Sequence, residues 1–406
     1  MAELALLRLS RQYFFSGGDY NGGMMGTLQW LFWIGVFLAF YSYLVYPVVL
    51  MFLQRPATPP PTRSDGAQAL PHVTIIVAAR NEQARIADKL ENTLAMEYPG
   101  GTFNILVASD CSEDATDSIV NGCAARGVSL VRSPERKGKE HAQGLAIKAA
   151  TGSILVFTDT ATRLRPDAVR LLVEDFSDPT VGAVSSEDEL VSPDGTVRGE
   201  GAYVRYEMAL RRLESRAAGL VGLSGSCFAV RKEVCARWRS DTPSDITAAL
   251  LCAQTRLRAI SDERVKGAYQ DLKDESKEFQ RKKRTIIRGM TAVWELREAL
   301  NPFRYGTFSL QVWSHKILRW LVPVGLALAL VCSAVLARDS GVYRGLLVLQ
   351  LAGYAAAGLA YVSGGARRIM PLRIALYFLL ANIATAAALW DFVRGVRIVT
   401  WNPSQR

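Results

Sequence analysis

Histidine is nearly missing from this chain. Among 406 residues there are three, His72, His141 and His315, set far apart. No histidine-built metal centre follows from that spacing. The six cysteines (Cys111, Cys123, Cys227, Cys235, Cys252 and Cys332) contain no C-x-x-C pair and no zinc spacing. They read as reduced thiols of a cytosolic domain, with Cys332 inside an apolar segment. No lysine/arginine run is interleaved with aromatics, so a nucleic-acid partner is not indicated. No small-residue cleavage site follows the first long apolar run, so that run reads as a retained anchor and not as a cleaved signal peptide.

What is present is unevenly spread. Half of the residues are hydrophobic, and the mean hydropathy is +0.11. Charge concentrates between about Arg55 and Arg304, and apolar residues collect at both ends. The pattern predicts a soluble domain held between membrane segments. A net charge of +10 suits an anionic membrane surface or phosphate-bearing substrates. Residues 1–27 form a polar, glycine-containing start, and 28–53 are long and apolar enough to span a bilayer. Residues 54–71 form a proline-rich spacer. The soluble domain occupies 72–300, an aromatic amphipathic interfacial segment 301–317, three further apolar segments 318–390 and a basic tail 391–406. Four spans would put both chain ends on the side away from the domain. Arg394, Arg397 and Arg406 would then break the positive-inside preference, unless one late segment is re-entrant.

Within the domain, strands alternate with helices. Val73–Ala79, Phe103–Ser109, Val128–Arg132, Ile154–Phe157 and Val181–Ser185 are short apolar runs suited to buried strands. Helical stretches separate them, so βαβ units and a mostly parallel sheet are predicted. Asp110 and Asp159 then fall at strand carboxyl ends, the edge where open α/β sheets bind ligands. Ser186-Glu187-Asp188 ends the fifth strand. Asp245 opens a helix after the turn Thr242-Pro243-Ser244, and residues 274–298 form a basic helix.

These stretches, in this order, resemble the family 2 glycosyltransferases, membrane-bound enzymes with a GT-A, Rossmann-like domain. Ala79-Arg80-Asn81-Glu82 resembles the family's P-x-x-N-E opening, with alanine in place of proline. Asp110-Cys111-Ser112-Glu113-Asp114-Ala115-Thr116 resembles D-G-S-x-D-x-T, whose first aspartate contacts the nucleotide. Gly138-Lys139 resembles the G-K pair near the nucleotide. Asp159 resembles the first residue of D-x-D, but Ala161 stands at its third position. Ser244-Asp245 resembles the site of the acceptor base. Arg281-Lys282-Lys283-Arg284-Thr285 stands where long-chain synthases have Q-x-x-R-W, without the glutamine and the tryptophan.

The resemblance implies an inverting transfer of a sugar from a nucleotide sugar to a lipid-linked or polysaccharide acceptor at the cytosolic face of the plasma membrane. A polyprenyl phosphate acceptor and a degenerate domain that only binds nucleotide sugar stay open as alternatives. Glu82, Asp110, Asp114, Lys139, Asp159, Arg281 and Arg284 are the expected donor contacts. Asp245 is the expected base, and Asp159 the ligand of a divalent cation, Mg²⁺ or Mn²⁺. Glu187 and Asp188 are candidates to support that cation. Membrane lipids are the expected surroundings.

Overall fold

A computed structural model describes residues 20–55, 70–191, 202–270 and 275–398. The chain divides into two compact units. One comprises Met1–Val45 with Ile317–Ala386, the other Tyr46–Lys316 with Ala387–Arg406.

The second unit is built on a seven-stranded sheet: β1 (Val73–Ala79), β2 (Phe103–Ser109), β3 (Val128–Arg132), β4 (Ile154–Asp159), β5 (Val181–Val191), β6 (Cys227–Arg231) and β7 (Arg258–Gln270), in the order β3-β2-β1-β4-β6-β5-β7. Every residue of β1 is buried. Helices cover both faces of such a strand, which is why V-T-I-I-V-A-A runs apolar without alternating. β1 pairs in parallel with β2 and with β4, and Ala79 is level with Ser109 and Ala78 with Asp159. The register places the loops after β1, β2 and β4 side by side. β6 runs antiparallel to both β4 and β5. Its starting end therefore lies beside the finishing end of β4, where the Asp159 N–H donates to the Ser226 carbonyl at 3.2 Å.

Two differences from the sequence-based expectation concern this sheet. The fifth strand runs on to Val191, so Glu187 and Asp188 lie within it and not at its end. It is prolonged by parallel pairing with β7, with a register shift between Ser185 and Glu187. β7 itself had no apolar run to announce it. Its R-A-I-S-D-E-R-V-K-G-A-Y-Q is broken by charge, as suits an edge strand with β5 as its sheet neighbour.

In the first unit, glycine brings two helices into backbone contact. A Cβ on Gly35 would come within 2.8 Å of Ala329 N and Gly325 O, and one on Gly325 within 2.7 Å of Gly35 O. Small residues at a helix interface are how apolar helices approach closely in lipid. Among the described residues, three helices are long and apolar enough to cross a membrane: Gly23–Phe52, Gly341–Val362 and Met370–Val393. Thr307–Trp320 and Val322–Leu336 reach that length only as a pair bent by 55°. The first of the three apolar segments expected over 318–390 is therefore a fourth span only if this bent pair counts as one.

Candidate functional site

The loops after β1 and β2 are laced together. Buried Arg80 donates to the carbonyls of Asp110, at 2.9 Å, and of Cys111, and pairs with Glu113 at 3.1 Å. The Asn81 N–H donates to Ser112 Oγ at 3.2 Å, while Asn81 Oδ1 accepts from the Glu113 N–H at 2.9 Å. Asn81 and Cys111 sit at φ 52° and 56°, in the left-handed region. Non-glycine residues hold that conformation where their surroundings enforce it.

Asp114 spends both oxygens inside this lacing. Oδ1 accepts from the Thr116 N–H and hydroxyl at 3.0 and 2.5 Å, and Oδ2 from the Gln83 N–H at 3.1 Å. Desolvation opposes ionisation, but these bonds outweigh it and hold the carboxyl below the usual range. The Glu82 N–H donates to Thr116 Oγ1 at 2.7 Å, and its buried carboxylate pairs with Arg85 at 2.7 Å. Burial pushes Glu82 up, Arg85 pulls it down, and burial wins. The geometry thus gives Glu82 and Asp114 partners within the protein.

Asp110 leads to the next element. Its Oδ1 accepts from the Lys137 and Gly138 N–H groups, both at 3.0 Å. Gly138 has φ 99°, which glycine adopts freely, and the helix Lys139–Ala149 starts immediately after it. The Lys139 ammonium reaches Asp159 Oδ1 at 2.5 Å. Desolvation opposes the charge on Lys139, but Asp159, Glu140 and Asp245 outweigh it and raise the ammonium above its ordinary value.

Lys139 and Asp159 line a cavity of about 150 Å³. Gly225 and the turn Pro243-Ser244-Asp245-Ile246 form another part of its wall. Asp245 is the second residue of the helix Ser244–Gln254, where a carboxylate is favoured by the dipole. Its carbonyl accepts from the Leu223 N–H at 3.2 Å. A Cβ on Gly225 would stand 3.9 Å from Asp245 Oδ2. Three chemically active side chains from distant stretches, Lys139, Asp159 and Asp245, thus share one cavity.

The remaining wall comes from the helix Glu275–Glu295 through Thr285 and Arg288. Arg288 pairs with Glu140 at 2.6 Å, with side chains 12% and 3% exposed. Arg288 Nε and Glu140 Oε2 are buried without a hydrogen-bond partner. Arg281 and Arg284, the expected donor contacts, are not among the lining residues. The guanidinium of Arg284 is pulled down by burial, then by Arg288 and Arg281. Lys283 turns to Asp391 at 2.6 Å. Arg288 lay one helical turn beyond the basic cluster, at the i+7 position from Arg281, and that periodicity is the signal that points to it.

Glu187 and Asp188 are not lining residues either. Buried Glu187 pairs with Lys266 at 2.6 Å and Arg212 at 3.1 Å, and these bonds outweigh desolvation and lower its pKa. Asp188 Oδ1 accepts from Ser224 and Ser226, both at 2.5 Å. It holds Ser226, the residue just before β6, whose carbonyl receives the Asp159 N–H.

Among the described residues no group of three histidine, cysteine, aspartate or glutamate side chains is placed to hold a metal. Asp159, with its side chain 30% exposed beside the cavity, offers a divalent cation one hard oxygen ligand. That chemistry fits Mg²⁺ or Mn²⁺ whose other positions are filled by phosphate and water.

Residues 74–238 match the model of Glycosyl transferase family 2. A beta-monoglucosyldiacylglycerol synthase of Trichormus variabilis is 27% identical over 186 residues, 44% of this chain and 40% of that protein. The succinoglycan biosynthesis protein ExoO of Rhizobium meliloti is 34% identical over 128 residues, 31% of this chain and 36% of that protein. Each match covers less than half of the curated relative's length. A mannosyltransferase of Pyrobaculum calidifontis, solved in complex with GDP-Man and Mn²⁺, superposes with a TM-score of 0.66 and 25% identity, over 90% of this chain and 99% of that one.

Proposed function

We propose, from the premise that this chain carries a glycosyl transferase family 2 domain, that it is an inverting glycosyltransferase using a nucleotide-sugar donor. The observation that carries this reading is the cavity shared by Lys139, Asp159 and Asp245. The Asp245 carboxylate takes the proton of an acceptor hydroxyl. The freed oxygen attacks the anomeric carbon from the face away from the leaving group. The bond from that carbon to the diphosphate breaks, its electron pair leaves on the nucleoside diphosphate, and the configuration inverts. The Lys139 ammonium stabilises the charge that develops on the diphosphate. A divalent cation on Asp159 would neutralise part of the same charge.

Donors of this kind are made in the cytosol, so the domain faces the cytosol at the plasma membrane. The acceptor is a growing surface polysaccharide or a lipid-linked glycan; the name of the succinoglycan relative accords with the first, and that of the glucosyldiacylglycerol relative with a membrane-lipid setting. The structural relative's GDP-Man and Mn²⁺ make GDP-mannose the first donor to try. The test is a donor panel with the purified full-length protein: GDP-mannose, UDP-glucose and UDP-N-acetylglucosamine, each with MnCl₂ and with EDTA. Steady release of nucleoside diphosphate from one donor, dependent on the metal, is the expected result. Binding of a donor with no release from any would favour a domain that only binds nucleotide sugar.

A further inference from the structure

Lys89 is fully buried. It lies on the inward face of the helix Ile86–Leu94, among buried Ile86, Leu90 and Thr93. An apolar side chain would fill that place without stripping an ammonium of water. The ammonium is directed at one short piece of chain. It donates to Thr158 Oγ1 at 2.9 Å and to the Thr162 carbonyl at 2.7 Å. Those residues bracket Asp159, in a turn closed by the Thr162 N–H on the Asp159 carbonyl at 3.1 Å.

The same helix holds the chain just beyond. Asp88 pairs with Arg163 at 3.1 Å. Asn92 donates to the Leu164 carbonyl at 2.8 Å and accepts from the Leu164 N–H at 3.0 Å. At its tip, Asp159 is met by Lys139 at 2.5 Å. An entering diphosphate competes for Lys139 and loosens that pair. The support from Lys89 comes from the protein interior and is untouched by the ligand.

We propose that Lys89 is a positioning residue: its buried ammonium clamps the 158–162 turn so that the Asp159 carboxylate keeps its place in the cavity when a diphosphate draws Lys139 away. This rests on the transferase reading above. Burial pulls the Lys89 ammonium down to about 8, with Cys227 and Asp159 supporting the charge and Arg163 opposing it. The clamp itself is geometric and stands on the two hydrogen bonds.

The test uses the full-length protein, as wild type, Lys89→Met and Thr158→Val. On each, GDP and UDP binding is measured by calorimetry in EDTA and in MnCl₂, together with Tm and the kcat and KM for the donor that wild type turns over. Lys89→Met should keep a Tm near wild type, because removing a buried charge offsets the lost hydrogen bonds. Its diphosphate binding in EDTA should be unchanged. The strengthening of binding by MnCl₂ should shrink by about tenfold, and kcat should fall by about 10²-fold with little change in KM, the effect of a reacting group misplaced by an ångström. Thr158→Val, which removes one of the two acceptors, should fall between. Wild-type kcat and MnCl₂ response in Lys89→Met would overturn the proposal. So would a common loss of Tm, EDTA binding and activity, which marks a scaffold residue. A wild type that binds neither diphosphate under either condition counts against the transferase reading itself, and the proposal falls with it.

Discussion

Asp245 has two tasks, and one substitution separates them. As the second residue of a helix it suits the dipole, and asparagine at that place loses the charge but keeps the size and a side-chain oxygen. Asp245→Asn should therefore fold normally and bind donor as wild type does, while turnover falls by about 10² to 10⁴-fold, the usual range for a lost general base. Calorimetry beside a turnover assay checks both halves. Asp159→Ala should behave differently, losing MnCl₂-dependent diphosphate binding and, because Lys139 loses its partner, some Tm, while EDTA binding of the diphosphate is kept. Near-normal turnover in Asp159→Ala would move the cation elsewhere. The placement of Asp110, Lys139, Asp159 and Asp245 at strand ends and helix starts was legible in the sequence, because each follows a local marker: an apolar strand end, a glycine before the lysine, a proline turn before a helix. The partners of Glu82 and Asp114 were not. They depend on two loops about thirty residues apart meeting at the sheet edge, as the bonds from Glu82 to Thr116 and from Gln83 to Asp114 show. Lys89 was hidden because a lysine near the start of a helix looks like any solvated lysine until the register of the sheet buries it.

Among the elements, the helix Glu275–Glu295 carries the most divided basic face. Lys283 pairs with Asp391, and Arg288 pairs with Glu140 beside Lys139. The second pair is buried, so breaking it from one side leaves an uncompensated charge. Arg288→Met should destabilise the domain by about 3–5 kcal/mol, and the double variant Glu140→Leu with Arg288→Met should recover most of that. Thermal unfolding of the two variants checks the point, and equal Tm loss in both would show that the partners are not coupled. The indole N–H of Trp238 fixes the start of the helix Lys139–Ala149 by donating to the Glu140 carbonyl at 3.1 Å, while its ring stacks on Phe157 of β4 at 5.2 Å. Strand bounds were readable to the residue for β1 and β2, where burial makes the apolar run continuous, and for the short edge strand β3, whose Val128, Leu130 and Val131 stand between a glycine and a serine-proline turn. β7 was unreadable because Asp262, Glu263, Arg264 and Lys266 break its apolar residues apart, and its partner β5 was shortened in consequence.

The described residues match the expected fold, a mostly parallel sheet, matched over residues 74–238 by Glycosyl transferase family 2, with helices apolar enough to cross a membrane before and after it. The chain's threading through the membrane is where a parity argument can be made. Asp391 lies 2.6 Å from Lys283, and Phe392 meets Trp294 at 6.5 Å between ring centres. Both contacts lie within the unit that holds the domain, so the end of the helix Met370–Val393 belongs on the domain's side. If Gly341–Val362 and Met370–Val393 cross as a return pair, the pair bent by 55° enters without completing a crossing, the re-entrant case. Arg394 and Arg397 would then come to the domain's side, as the positive-inside preference asks of a domain on the cytosolic face. A reporter fused after Arg406 should be cytosolic, and an external signal would restore four spans. The central claim, transfer of a sugar by the cavity of Lys139, Asp159 and Asp245, is tested most directly in membranes carrying the full-length protein. The measurement follows sugar-labelled donor into membrane-retained product, with Asp245→Asn membranes alongside and donor binding matched between the two. The account predicts steady labelling of a product by wild type and a loss of at least about 10²-fold in Asp245→Asn. Equal labelling by the two, or donor bound by wild type with no label transferred or nucleotide released, would contradict it.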